Sequence, residues 1–570
     1  MSQPVSSIPL AQSIIGLAKK AGIKHVVISP GSRNAPLTIS FALDPFFKTY
    51  SIVDERCAAF FAMGMAQQLQ QPTIIVCTSG SAMLNYFPAV TEAFYSQIPL
   101  VVISADRPEH LIDIGDGQTI RQTHVFNHHV GYQAHLKSDV RQGDNSINLN
   151  YNNKEIYKAL QIAQHRSLPI HLNAPFDEPL YQKDETISVD IGVFDFEEPE
   201  DPPVKTSHRH QFVSAWKQSK RKLILVGVSH PEDINVKDLK FLNEDDSVIV
   251  MTETTSNLNS SRFFYSIDGI LAPIEIDENK DVLLKALQPE LLLTFGGMLV
   301  SKKLKAFLRT YKPSYHFHIH PYHANDTFFA DVKHLPYKPE HFLRSIKDEL
   351  IPQKSDYYIY WKSIFDERMK LSKVYLDQIP YSDFWVYPFI FKALPKHIVL
   401  HLGNSSCVRY SNLFDLDASI DVFCNRGTSG IDGSTSTAIG HAVLSKKQNV
   451  LLCGDLSFLY DSNGLWNAAT PDSFKIIVIN NRGGGIFRIL PGDKNDSYFN
   501  TYFETQHDHD ASLLAKMFDY TYYTSGNKDE LKAILHDFIR SKEKSILEIF
   551  TPTEINDKVL LDYFRFIKNS

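Results

Sequence analysis

Short apolar runs punctuate this chain at regular intervals, each followed by a stretch with helical spacing. In the first third they are 24–28 (KHVVI), 73–77 (TIIVC) and 100–103 (LVVI), followed by the loops SPGSRNAP, TSGSA and SADRP. The middle third repeats the pattern at 222–228 (KLILVGV), 247–253 (SVIVMTE), 290–297 (ELLLTFGG) and 315–321 (YHFHIHP). The last third starts again with 397–403 (HIVLHLG), 419–425 (SIDVFCN), 449–455 (NVLLCGD) and 474–481 (FKIIVINN). Runs this short and this apolar, alternating with helices of about 15 residues, predict βαβ units around parallel sheets buried on both faces. The acidic, proline-rich segment 196–207 (FEEPEDPPVKTS) reads as a linker, and a weaker boundary lies between 334 and 372. The fold class is therefore α/β, with three doubly wound, mainly parallel domains over 1–195, 208–350 and 373–570.

Composition narrows the function classes. The 570 residues suit about three or four domains. Lys plus Arg is 58 and Asp plus Glu is 65, giving a net charge of −7, which argues against nucleic acid as the main partner. The five cysteines include no C-x-x-C pair, so zinc ribbons and dithiol redox pairs are excluded and a reducing, cytoplasmic setting is expected. The N-terminal MSQPVSSIPLAQSIIGLAKKAG reads as a short extended piece and an amphipathic helix rather than a signal peptide. No apolar stretch is long enough to span a bilayer.

In open parallel sheets the chemistry gathers at the carboxyl ends of strands. Gly454-Asp455 ends one such strand and Asn480-Asn481 the next, with residues 457–479 between them, enough for one crossover. If these strands are neighbours, Asp455, Asn481 and a carbonyl of the Gly-rich turn are hard oxygen donors suited to Mg²⁺ and a diphosphate; the competing reading is a turn-forming Asp and Asn pair. In 51–69 (SIVDERCAAFFAMGMAQQL), Asp54 reads as a helix cap and Glu55 falls in the first turn. There it either complements the helix dipole or sits in a dry setting with a raised pKa or a specific partner. Arg33, Arg107, Arg409 and Arg426 follow predicted strands; guanidinium forks there suit a substrate with several carboxylates, or ordinary ion pairs. His316, His318 and His320 alternate along what reads as a half-exposed strand, and 507–510 (HDHD) reads as a polar loop with Asp510 as a cap. Lys302 and Lys303 lie just past a strand, within reach of an anion.

The Asp455–Asn481 spacing is similar to the diphosphate-and-magnesium motif of thiamine diphosphate enzymes, and Glu55 to their activating glutamate. Within that superfamily, ISPGSRNAPLT, VDERCAAFFAMGMA, TSGSAMLNYFPAVTEAFYSQIPLVVISADRP, GDGQTIRQ, GNSSCVR, NRGTSGIDGSTSTA, GDLSFLYDSNGL and NNRGGGIF resemble one family, the 2-succinyl-5-enolpyruvyl-6-hydroxy-3-cyclohexene-1-carboxylate synthases of menaquinone biosynthesis. The match is dense in the first and last thirds and loose in the middle, around GGMLVSKKL.

The resemblance implies the thiamine diphosphate-binding fold and a carboligating transferase. That enzyme decarboxylates 2-oxoglutarate and adds the succinyl carbanion equivalent to isochorismate in a 1,4 manner. It implies thiamine diphosphate and Mg²⁺, with Mn²⁺ as a substitute, and a homodimer or homotetramer with active sites at the subunit interface. Glu55 matches the glutamate that bonds N1′ of the aminopyrimidine. Asp455, Asn481 and the Gly483 carbonyl match the metal ligands, and Leu456 and Ser457 stand in the cofactor-binding motif. Ile431 matches the apolar prop under the bent cofactor. Ser32, Arg33, Arg107, Gln118, Lys302, Arg409 and Arg426 match substrate-contacting positions, with Ser32, Arg33 and Gln118 beside the reacting atoms. Ile486 and Phe487 match the apolar wall near the reacting carbon. Lys303 stands where some members carry Arg, Gly117 replaces a side chain, and Arg482 sits where many have a third Asn. A different thiamine diphosphate-dependent 2-oxoacid decarboxylase or carboligase remains the alternative, and a non-catalytic relative is disfavoured by Glu55, Asp455 and Asn481.

Overall fold

The computed structural model describes residues 4–139, 145–197, 199–489, 494, 496 and 498–568. Among the described residues three large sheets carry the chain, beside a two-stranded antiparallel pair of Val5–Ser6 and Lys183–Asp184. The first runs Lys48–Ser51, His25–Ile28, Thr73–Cys77, Leu100–Asp106, Ile170–Pro175, Tyr132–His135, with all neighbours parallel. The second runs Val248–Thr252, Lys222–Val226, Leu291–Phe295, Tyr315–Ile319, Lys333–Leu335, again parallel. The third runs Asp421–Phe423, Val399–Leu402, Asn449–Gly454, Lys475–Asn480, Ser545–Phe550, Thr521–Ser525. Counted from the first strand of each, the first and third sheets share the order 2-1-3-4-6-5. Each therefore reverses direction beside its first strand, the place where open α/β sheets bind ligands.

Burial on both faces explains the apolar strands. In the second sheet Ile224 and Val226 enter one core and Leu223 and Leu225 the other, the two-residue alternation of a covered strand. The edge strands Lys48–Ser51, Tyr132–His135 and Thr521–Ser525 carry no apolar run because they are partly exposed, and Ile170–Pro175 carries none because it buries polar residues. Ser104 meets His171 and Asn173 at 2.7 and 2.8 Å across the first sheet, so polar side chains are tolerated where a run of Val and Ile would be expected. The Tyr315–Ile319 strand is buried rather than half-exposed. His316 and His318 both meet the Thr294 hydroxyl, at 3.0 and 2.8 Å, and burial pushes each down to about 4. No group of three or more His, Cys, Asp or Glu side chains placed to hold a metal occurs among the described residues.

The expected linker has no regular structure up to the helix Thr206–Gln218; its Glu198 lies outside the described residues. The stretch 334–372 is largely helical. The helix Tyr357–Gln378 places Tyr357 and Trp361 in a core of the second sheet and Tyr375 in that of the third. Packing divides the described residues into two compact units, one from Met1–Pro199, Gly427–Asn449 and Ser457–Phe474, the other from Glu200–Arg426, Val450–Leu456 and Lys475–Ser570. No helix among the described residues is long and apolar enough to cross a membrane.

In the first unit the helices Glu55–Leu69 and Ser434–Leu444 pack at backbone contact. A Cβ on Gly64 would lie 2.0 Å from the Thr437 carbonyl oxygen, and one on Gly440 would lie 1.9 Å from that of Phe61. Gly64→Ala gains helix propensity of about 1 kcal/mol. The clash is against backbone, which cannot rotate away, so overpacking of roughly 1–3 kcal/mol or more wins. We expect a lower urea midpoint for Gly64→Ala; a midpoint at or above that of the parent protein would show that these helices do not meet at Gly64.

Candidate functional site

In the first unit, the strand Lys48–Ser51 leads through Asp54 into the helix Glu55–Leu69. The Asp54 carboxylate caps it by accepting from the Cys57 N–H at 3.2 Å. Burial of the helix begins at Cys57. Glu55 itself is half-buried, not dry, and its Oε2 accepts from Asn85 Nδ2 at 3.4 Å. The start of this helix lies along residues 433–463. Asp54 accepts from Asn463 Nδ2 at 2.8 Å, Arg56 donates to the Tyr460 carbonyl at 2.8 Å, and a Cβ on Gly433 would fall 2.2 Å from the Phe60 ring. Ile431 is 39% exposed, unusual for isoleucine in so packed a region, and its carbonyl accepts from Ser457 Oγ at 2.7 Å. Glu55, Ile431 and Ser457 thus gather in one neighbourhood.

A second group forms where the loops after His25–Ile28, Thr73–Cys77 and Leu100–Asp106 meet. Arg33 is buried and donates to the Phe176 carbonyl at 3.1 Å and to Glu178 at 3.4 Å, while its Nε is buried with no partner. Burial and the nearby Arg107 guanidinium lower its pKa. Arg107 donates from Nε to the Gly117 carbonyl at 2.9 Å and meets Asp116 at 3.2 Å. Gln118, held at φ +54°, accepts through its carbonyl from Ser79 Oγ at 2.9 Å; its side chain and Ser32 are exposed. Two close guanidiniums with an unsatisfied buried N–H fit a bound carboxylate.

In the second unit, the strands ending in Asp455 and Asn481 are parallel neighbours, with Gly454 opposite Ile479. Asp455 is 3% exposed; Oδ1 accepts from the Leu456 N–H at 2.7 Å and Oδ2 from the Gly483 N–H at 2.9 Å. Gly483 stands at φ +146°, and a Cβ there would lie 2.4 Å from the Glu504 carbonyl oxygen, so the turn requires glycine. Its carbonyl accepts from the Gly485 N–H at 3.0 Å. Asn481 donates from Nδ2 to Asp383 at 2.9 Å, which fixes the amide orientation, and its Oδ1 is buried with no partner. An orphaned amide oxygen beside an ionisable carboxylate is the donor set of a hard divalent cation, so these residues fit one. Ile486 and Phe487 follow in the single turn Gly485–Ile489, half-buried, with the Phe487 ring 5.9 Å from Phe503.

Two participants escaped the sequence. Asp383, which reads as an ordinary first-turn acid, is wholly buried, also accepts from Thr551 Oγ1 at 2.6 Å, and is pushed up to about 6 by burial. His507 is not part of a solvated loop. Its Nε2 lies 3.3 Å from Asp455, and that contact raises its pKa. Asp510 does cap, accepting from the Ser512 N–H at 2.8 Å. Arg482 is exposed and pairs with Asp508 at 3.1 Å.

Arg409, Arg426 and Lys305 lie near two buried acids, Glu253 and Asp268. Glu253 accepts from the Val300 and Ser301 N–H groups at 2.7 Å each, and burial pushes it up to about 7. Arg426 donates to Asn404 Oδ1 at 2.7 Å, and burial lowers the pKa of Arg409, with Asp268 opposing. Lys303 is engaged by Glu275, whereas Lys302 is exposed at the start of the helix Lys302–Thr310. Lys305, absent from the sequence reading, lies in the field of Glu253, Arg426 and Arg409 and donates to the Leu299 carbonyl at 2.8 Å.

Comparison with known proteins agrees with this layout. The family described as thiamine pyrophosphate enzyme, N-terminal TPP binding domain, matches residues 8–133, and its C-terminal TPP binding domain counterpart matches 407–549. The crystal structure of benzoylformate decarboxylase from Polynucleobacter necessarius superposes with a TM-score of 0.69 at 15% identity, covering 96% of this chain and 99% of that one, which shows the shared fold. A 2-succinyl-5-enolpyruvyl-6-hydroxy-3-cyclohexene-1-carboxylate synthase of Flavobacterium psychrophilum is 50% identical over 98% of both chains. The synthase of the same name from Porphyromonas gingivalis is 35% identical over 97% of this chain and 96% of its own. At these identities over nearly the whole length, the chain belongs to the 2-succinyl-5-enolpyruvyl-6-hydroxy-3-cyclohexene-1-carboxylate synthase family of thiamine diphosphate-dependent enzymes.

Proposed function

We propose that this chain decarboxylates 2-oxoglutarate and adds the resulting succinyl unit to isochorismate, the 1,4-addition of menaquinone biosynthesis, with thiamine diphosphate and Mg²⁺ as cofactors. When bound, thiamine diphosphate supplies the electron sink that lets a 2-oxoacid lose CO₂ and its acyl carbon act as a nucleophile. The protein binds, orients and moves protons. Glu55 would exchange a proton with N1′ of the aminopyrimidine, and the exposed Ile431 side chain would pack against the cofactor. Asp455, the orphaned Oδ1 of Asn481 and the Gly483 carbonyl hold the cation, with Leu456 and Ser457 beside the diphosphate. Arg33, Arg107, Arg409, Arg426 and Lys302 take the carboxylates of two dianionic substrates. Ser32 and Gln118 orient the reacting groups, and Ile486 and Phe487 exclude water from them.

The observation that carries this reading is the buried, partnerless Oδ1 of Asn481 on the strand beside Asp455. In this reading the three sheets define domains over 1–195, 208–350 and 373–570, and the enzyme works in the cytoplasm as a homodimer or homotetramer. The test is purified protein with thiamine diphosphate and Mg²⁺, given 2-oxoglutarate with and without isochorismate. Loss of isochorismate coupled to CO₂ release is expected. Turnover of pyruvate with 2-oxoglutarate ignored would overturn the assignment.

A further inference from the structure

Glu92 is 1% exposed on the helix Phe87–Ser96, and apart from Ser96 its partners, Gly427 and Thr428, lie more than 300 positions away in sequence. Its Oε1 accepts from the Gly427 N–H at 2.6 Å and from Ser96 Oγ at 2.7 Å; its Oε2 accepts from the Thr428 N–H at 2.6 Å and from Thr428 Oγ1 at 2.8 Å. A carboxyl group of this kind accepts through both oxygens, and four donors aimed at it fill its hydrogen-bonding capacity. The approach is so close that a Cβ on Gly427 would stand 2.4 Å from the Glu92 carbonyl oxygen.

What this carboxylate grips is the start of the loop that presents Ile431. Directly after Thr428, Ser429 adopts φ +62°, a left-handed conformation that a serine holds only when its surroundings impose it. At the far end the Ile431 carbonyl is tied to Ser457, and Gly433, at φ +70°, sits against the Phe60 ring. The loop is thus fixed at both ends with one apolar side chain left exposed between them. A buried acid with no cation partner among the described residues is costly unless it serves as an acceptor for groups that must not move.

We propose that Glu92 is a positioning residue that clamps residues 427–428 so that Ile431 is held at the angle the bent cofactor requires. This rests on the cofactor reading above and adds to it a side chain that touches neither cofactor nor substrate. The experiment compares the parent protein, Glu92→Gln and Thr428→Val, each titrated with thiamine diphosphate at saturating Mg²⁺. Three quantities are followed: the dissociation constant, the near-ultraviolet circular-dichroism band of the bound aminopyrimidine at saturation, and melting of the cofactor-free protein. Glu92→Gln sets an amide N–H₂ against backbone donors. Its dissociation constant is expected to rise about tenfold, the worth of one charge-assisted hydrogen bond, and its saturated dichroism band to be altered. Thr428→Val removes only the hydroxyl bond, so it should shift both readouts in the same direction by less while melting stays near that of the parent. If Glu92→Gln does not fold, the Thr428→Val dichroism band decides alone. Parent-like affinity and dichroism in the variants that fold would overturn the positioning role. A parent protein that does not bind thiamine diphosphate would overturn the cofactor reading and this inference together.

Discussion

Glu55→Gln is expected to fold, to bind thiamine diphosphate with near-parental affinity, and to turn over roughly 10²–10⁴-fold more slowly, the range general acid–base groups contribute. That loss corresponds to roughly 3–5 kcal/mol of transition-state stabilisation. The fold should survive because Glu55 is not what starts its helix: Asp54 supplies the cap, and burial begins two positions later at Cys57. The amide of Gln keeps an oxygen for Asn85 and can still hydrogen-bond a ring nitrogen, so affinity is largely kept. It cannot give or take the proton at N1′. Steady-state CO₂ release from 2-oxoglutarate and isochorismate, beside a cofactor titration of the same preparation, measures both effects. Turnover within threefold of the parent would remove Glu55 from proton transfer. A large loss of affinity instead would make it a binding residue only.

What the chain discloses in advance follows the range of the interaction. Strands such as 73–77 and 474–481 are legible because covering both faces of a parallel strand demands consecutive apolar residues, a local signature. The shared 2-1-3-4-6-5 order is not legible, since strand order is decided by crossovers between distant segments. The site divides in the same way. Asp455 and Asn481 announce themselves because each ends its own strand. Asp383 and Glu92 look like ordinary helix acids, since their partners lie 98 and 335 residues away. Two local readings were decided by packing. Glu55 could either complement the helix dipole or sit in a dry setting, and the first turn of its helix is only half-buried, which removes the dry setting. The histidines of 315–321 were expected to face solvent from their alternation. Strand partners on both sides and the Thr294 hydroxyl cover His316 and His318 instead. The middle-sheet cluster was the least visible: Glu253 and Lys305 lie in the field of Arg409 and Arg426, which follow more than 100 residues later in the chain.

Asp455→Asn should cost more than 100-fold in Mg²⁺-dependent cofactor affinity, beyond the roughly 10–100-fold typical of losing a residue that only orients a ligand. The comparison with Asp383→Asn makes this a test of geometry rather than of acidity. In the proposed site Asp455 would contribute an oxygen to the cation directly, whereas Asp383 would act only by accepting from Asn481 Nδ2 and so leaving its Oδ1 free for the cation. An amide at 383 can present its own N–H₂ and flip Asn481, giving a smaller, orientational loss. The asparagine at 455 is preferable to alanine, because Asp455 also accepts from the Leu456 and Gly483 N–H groups. Stripping both acceptors would leave buried donors unsatisfied at about 1–3 kcal/mol each and confuse folding with binding. Mn²⁺ offers a readout independent of turnover: its electron paramagnetic resonance signal in the presence of cofactor should broaden on binding to the parent protein and stay that of the free ion with Asp455→Asn. Equal Mg²⁺ and Mn²⁺ affinity in the parent and Asp455→Asn would remove the cation from this strand edge. Equal losses at 455 and 383 would mean that both act by holding the turn, and that the cation's oxygen donors lie elsewhere.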